Sequence, residues 1–213
     1  MIEISGLTKR FGSLVAVNNL SLTIPRGEFF GFLGPNGAGK TTTIKMMVGL
    51  LRPTSGYVRL GGGDGRPGYD VETDPIRAKR IIGYIPDSPY LYEKLSGNEF
   101  LEFIGGLYEI PRKLLEQRAE HYLRLFNLTE YADNLIESYS HGMRQKLVMA
   151  AALVHEPEVL IVDEPMIGLD PRSASRQDHL RRRPPRGTTL FLSTHSLDVA
   201  EVVRASASSC AAT

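Results

Sequence analysis

The stretch Gly34-Pro35-Asn36-Gly37-Ala38-Gly39-Lys40-Thr41-Thr42 constrains this chain more than any other. It fits G-x-x-x-x-G-K-[ST] at every position, the pattern of a phosphate-binding loop. A glycine-rich turn can meet such a pattern by chance, so the flanks matter. Phe29 to Leu33 is a short apolar run that reads as a buried strand, and Thr41 to Leu51 carries apolar residues at helical spacing. The loop therefore joins a strand to a helix N-terminus, where backbone N–H groups and the helix dipole favour an anion. Glycines let the backbone close around a polyphosphate. In that geometry Lys40 is expected to reach the β- and γ-phosphates and the Thr41 hydroxyl to hold Mg²⁺.

With 213 residues the chain can bury a substantial core, as one large domain or a core with a smaller lobe. Lys plus Arg number 25 against 24 Asp plus Glu, so no global field points to nucleic acid or an anionic membrane. The single cysteine, Cys210, excludes an internal disulfide framework and fits a reducing compartment. The N-terminal MIEISGLTKRFG has no signal-peptide core. Nor is there an apolar run of about 18 residues, the length needed to span a bilayer. The expectation is a soluble protein whose membrane role, if any, comes through a partner.

Residues 1–28 alternate in short apolar segments broken by Gly6, Gly12 and Pro25-Arg26-Gly27, which reads as a small antiparallel β region. Phe11 lies in a turn there, open to two readings: packing, or stacking on a nucleobase. Tyr57 to Leu60 is a short strand, and the run GGGDGRPG at 61–68 reads as a mobile loop. A short helix from Ile76 to Arg80 precedes a strand, Ile81 to Ile85, that stops at Pro86. From Ser88 to Glu156 the texture is helical. Phe100, Leu101, Phe103, Ile104 and Leu107 form one stripe, Leu114, Leu115, Tyr122, Leu123, Leu125 and Phe126 another, and both read as core faces. Val159 to Val162 and Thr188 to Leu192 are continuous apolar runs, as in parallel strands buried on both sides. They end in Asp163-Glu164-Pro165 and Ser193-Thr194-His195, at the strand ends where open α/β sheets bind ligands.

An acidic pair after a strand can simply cap the next helix. Beside a phosphate loop it has a second reading. Asp163 then binds Mg²⁺, and Glu164 polarises the water that attacks the γ-phosphate.

With these residues in place, nearly the whole chain resembles the ATP-binding subunits of ABC transporters. The most specific part is Ser138-Tyr139-Ser140-His141-Gly142-Met143-Arg144-Gln145-Lys146, standing where that family has its LSGGQ-type signature before a helix that reads from Gln145 to Val154. Ser140 could be an ordinary N-cap. The resemblance implies instead that Ser140 and Gly142 bind the γ-phosphate of a nucleotide held by an opposing subunit, and hence a head-to-tail dimer. His141 and Met143 depart from the commonest signature. The resemblance further implies that Phe11 stacks on adenine, that Gly168-Leu169-Asp170 crosses the dimer interface, and that His195 contacts the γ-phosphate. The family usually has a glutamine where this chain has Asp87, expected here as a water or Mg²⁺ contact, although a carboxylate cannot donate as an amide does.

The implied fold class is α/β: a P-loop NTPase core with a mainly parallel sheet, an N-terminal antiparallel β subdomain and an inserted helical subdomain. Residues 1–87 and 157–213 would form the core and residues 88–156 the helical part. The implied function is ATP hydrolysis driving a membrane transporter, leaning to an ABC-2-type exporter, with catalytic Lys40, Glu164 and His195, cofactors ATP and Mg²⁺, and permease subunits as partners. That places the chain peripherally on the cytoplasmic face of the membrane. Soluble family members acting on nucleic acid or ribosomes usually carry two cassettes or long insertions, so no nucleic acid is expected.

Two segments break the family pattern. Residues 173–186 have Leu180 as their single large apolar side chain, a basic run at Arg181-Arg182-Arg183 and the helix-ending pair Pro184-Pro185. A solvated loop, a nucleic-acid patch and a compensated shift of reading frame each account for it. Residues 204–213 lack any bulky apolar residue and cannot form a core strand. The expectation is a chain cut short and partly out of frame, with an ATP-binding remnant without turnover as the alternative to a working ATPase.

Overall fold

Two sheets grow from sequence patterns of opposite kind. The computed structural model describes residues 1–63, 65–88, 90–164 and 187–195. In the N-terminal part, β1 (Ile2–Phe11) and β2 (Leu14–Ile24) bury alternate residues and pair antiparallel. Their neighbours β4 (Ser55–Leu60) and β5 (Tyr69–Asp70) complete a sheet of order β2-β1-β4-β5. The second sheet contains β3 (Phe29–Leu33), β6 (Ile82–Ile85), β7 (Val159–Asp163) and β8 (Thr189–Thr194). Its order is β3-β8-β7-β6, and every pairing is parallel. All residues of β7 and β8 are buried, as expected of central parallel strands covered on both faces.

The pleat divides the core in two. Val159, Ile161 and Phe191 face a cluster made with the antiparallel sheet, α1 (Lys40–Met47) and α2 (Pro75–Arg80). Leu160, Val162, Leu190 and Leu192 face the other cluster, made with α3 (Gly97–Leu107), α4 (Arg112–Leu125) and α5 (His141–Leu153). Successive strand residues point to opposite faces, so two short apolar runs tie both layers to one sheet. Phe191, fully buried, has its ring 5.6 Å from Phe30 and 5.4 Å from Phe32.

Several local expectations are corrected. Gly6 does not break the first strand; a register shift between Ile4 and Leu7 absorbs it as a bulge within β1. The described residues of 61–68 are not a free loop: Gly63 and Arg66 exchange hydrogen bonds of 3.0 Å each way between the paired strands β4 and β5. Helix α1 stops at Met47 rather than Leu51, because Gly49 turns left-handed (φ 70) and Leu50 and Leu51 both donate back to the Lys45 carbonyl. On α3, Phe100 and Leu101 are buried but Phe103 and Leu107 are exposed. The apolar stripe is wider than the face that packs. Residues 173–186 and 204–213, on which the reading-frame expectation rested, lie outside the described residues. Among the described residues no helix is long and apolar enough to cross a membrane.

Candidate active site

Strand register assembles the site. Leu33 at the end of β3 pairs with Thr194 of β8, and Asp163 at the end of β7 pairs with Ser193. Three carboxyl ends thus meet at one edge of the sheet. The Gly34 N–H donates to the Thr194 carbonyl at 3.4 Å, which fixes where the phosphate loop leaves the strand. Pro35 to Ala38 are exposed, and Gly39 caps α1 with φ 86. A Cβ on Gly39 would lie 2.4 Å from the Ala16 carbonyl oxygen, so β2 braces the loop where only glycine fits.

Lys40 is nearly buried, at 6% exposure, and a buried ammonium needs partners. It donates to the carbonyls of Gly34 (2.8 Å) and Pro35 (3.0 Å) and pairs with Glu164 Oε1 at 3.0 Å. The other carboxylate oxygen of Glu164 lies 3.1 Å from Nδ1 of His195, which is exposed. Desolvation is the largest single influence on Glu164 and raises its pKa. The hydrogen bonds and charges of Lys40 and then of His195 outweigh it together, holding the carboxyl below its ordinary value. Glu164 also has a left-handed backbone, φ 39, unusual for a residue with a side chain.

Asp163 is 1% exposed and accepts from the Ser193 hydroxyl at 2.7 Å. The Thr41 hydroxyl lies 3.4 Å from the same Asp163 oxygen. One hydroxyl and one buried carboxylate suit Mg²⁺, a hard cation that takes few protein oxygens and completes its shell with water and phosphate. Thr42, half-buried, follows on α1.

The remaining expected residues lie on other elements. Ser140 caps α5 and accepts from the Met143 N–H at 3.3 Å. The helix begins at His141, not Gln145, so Gly142 stands in its first turn, and Ser140, His141 and Gly142 are all exposed. Phe11 is about half exposed at the end of β1, with Lys9 Nζ 5.2 Å from its ring centre. Asp87 is exposed just beyond β6. Burial pushes the Tyr84 phenol up to about 12, and the charges of Asp163 and Asp87 add to it. Gly168, Leu169 and Asp170 lie outside the described residues.

Ser193 stands in the polar strand end read from the sequence but had no role expected of it, yet it links Asp163 to the backbone of Glu164, whose N–H donates to its hydroxyl at 3.0 Å. The available signal was its place opposite Asp163 at the end of an adjacent strand, and that depends on register.

Known proteins share this sequence pattern and fold. The ABC transporter family model matches residues 17–167. Over 202 residues the chain is 36% identical to the linearmycin resistance ATP-binding protein LnrL of Bacillus subtilis (strain 168), covering 94% of this chain and 63% of that protein. It thus spans less than two thirds of the length of the first curated relatives it matches. A solved ATP-binding subunit of an ABC transporter superposes with TM-score 0.84 and 32% identity, covering 94% of this chain and 81% of the other. A dimeric ATP-binding cassette in a post-hydrolysis state, bound to ADP and Pi, superposes with TM-score 0.78 and 25% identity, covering 95% and 91%. The likeness in overall fold, the phosphate loop at the end of β3 and the extent of the family match lead to one assignment: this chain belongs to the ABC transporter family, as an ATP-binding domain.

Proposed function

We propose that the chain binds and hydrolyses ATP to power a membrane transporter of the export type, working as a head-to-tail dimer of two such domains. The observation that carries the reading is the convergence of Lys40, Asp163, Glu164 and His195 at the ends of β7 and β8 and the start of α1. ATP would draw Lys40 from Glu164 to the phosphate oxygens, and the freed carboxylate would take a proton from the attacking water as the new P–O bond forms and the bond to ADP breaks. Thr41 and Asp163 would hold Mg²⁺, which when bound neutralises charge on the β- and γ-phosphates. The imidazole of His195 would turn from Glu164 to the γ-phosphate, and Phe11 would stack on the base. Ser140 and Gly142 of the opposing domain would close the site from the N-terminus of α5. Asp87 would contact the water or Mg²⁺.

The partner side of the reading draws support from an exposed apolar group beside Asp87. Tyr90 is 93% exposed and Tyr92 60%, and Tyr92 packs edge-on against the exposed Phe103. Such a patch suits a protein contact. We assign residues 88–156 as a helical subdomain that meets permease subunits at the cytoplasmic face of the membrane. The drug-resistance role of the Bacillus relative favours export over import.

Purified protein should hydrolyse ATP with Mg²⁺. Glu164→Gln should lower turnover by about 10²- to 10⁴-fold, the usual contribution of a general base, and trap an ATP-dependent dimer on size exclusion. Binding of ATP with neither turnover nor dimer, even with the permease present, would sink the transport reading and leave a binding-only domain.

A further inference from the structure

Ser193 is fully buried at the end of β8 and sits between the two acidic residues of the site. Its hydroxyl has only one way to satisfy both neighbours. An ionised carboxylate only accepts and a backbone N–H only donates. The proton of Ser193 Oγ therefore points at Asp163 Oδ1, 2.7 Å away, and its lone pair receives the Glu164 N–H at 3.0 Å. One side-chain oxygen thus fixes the rotation of the Asp163 carboxylate and the backbone at which the chain turns left-handed, φ 39, to send Glu164 toward Lys40 and His195.

We infer that Ser193 is a positioning residue for this site: it orients Asp163 toward Mg²⁺ and anchors the turn that aims Glu164. The inference rests on the nucleotide reading above. Thr41 reaches the same oxygen of Asp163 only at 3.4 Å, so the short bond from Ser193 is the one that sets the carboxylate. Groups that orient a metal-binding carboxylate typically account for about 10- to 100-fold in metal affinity or activity.

The test compares Ser193→Thr with Ser193→Val, side chains of nearly equal shape that differ by the hydroxyl, alongside Ser193→Ala. The readout is ADP binding to the whole chain, in EDTA and across a Mg²⁺ titration. ADP affinity in EDTA should stay within about twofold of wild type in all three, because Lys40 and the loop are untouched. The Mg²⁺ concentration that half-saturates the Mg²⁺-dependent gain should rise about 10- to 100-fold in Ser193→Val and Ser193→Ala and stay near wild type in Ser193→Thr. Equal behaviour of Thr and Val, or an unshifted Ala variant, overturns the inference while leaving the nucleotide reading standing. Failure of the wild-type chain to bind ADP under either condition overturns both.

Discussion

Gly39 shows how closely a single residue can be specified. Its φ of 86 costs a side-chain-bearing residue about 1–2 kcal/mol, and the Ala16 carbonyl fills the space a Cβ would need. Gly39→Ala should therefore lower unfolding stability by at least about 1–2 kcal/mol and abolish ADP binding, read by denaturant titration and by fluorescence of a labelled nucleotide. Unchanged stability would contradict the close packing of the loop on β2. Lys40, Thr41, Asp163 and Glu164 stand in motifs whose spacing implies their chemistry, whereas the role expected of His195 came from the family resemblance. The role of Ser193 was not legible, since a serine on a strand carries no spacing of its own. It gains its role from the pairing of β7 with β8.

At the scale of the element, ends rather than middles separated expectation from structure. α1 ends where Gly49 turns, and α5 starts four residues early because Ser140 caps it. Periodicity locates the apolar face of a helix but says little about its last turn. The start of α3 is better defined. Ser96 accepts from the Glu99 N–H, and Glu99 accepts from the Ser96 N–H at 2.7 Å, a reciprocal capping box. Ser96→Ala should cost about 1 kcal/mol in denaturant unfolding, with most of it restored by Ser96→Thr. No change at all would mean that the cap contributes little beyond the packing of Phe100 and Leu101.

Across the whole molecule, His155 joins the helical layer to the sheet. Following α5, it stacks on Tyr108 with ring centres 3.7 Å apart, and its Nε2 donates to the Ile82 carbonyl at 2.9 Å. Burial is the main cause that pushes its pKa down to about 4; the Ile82 carbonyl opposes the shift and the charge of Arg118 adds to it. A base harder to protonate when folded leaves more protons on the unfolded chain in acid. Its stabilising effect is therefore whole above about pH 6.5, declines as pH falls, and is gone below about 4, for a loss of up to about 3 kcal/mol. Glu164, held below its ordinary value, contributes separately: its share declines as pH falls below the ordinary carboxyl value and is gone below the lowered pKa. Denaturant unfolding at several pH values should show the decline between pH 6.5 and 4, and His155→Phe, which can keep the stack, should flatten it. A slope unchanged in the variant would assign the acid sensitivity elsewhere.

The loop at residues 34–42, the buried runs ending in Asp163-Glu164 and His195, and the alternation in the first strands determine the fold class and most of the site. They do so because a phosphate loop, a two-sided strand and a one-sided strand each need a fixed local order of residues. Only tertiary structure decided that β8 lies between β3 and β7, that Lys40 rests on Glu164, and that Ser193 ties Asp163 to the next residue. Those facts depend on which strands pair and in what register, and hydrogen bonds between distant strands leave no period in the chain.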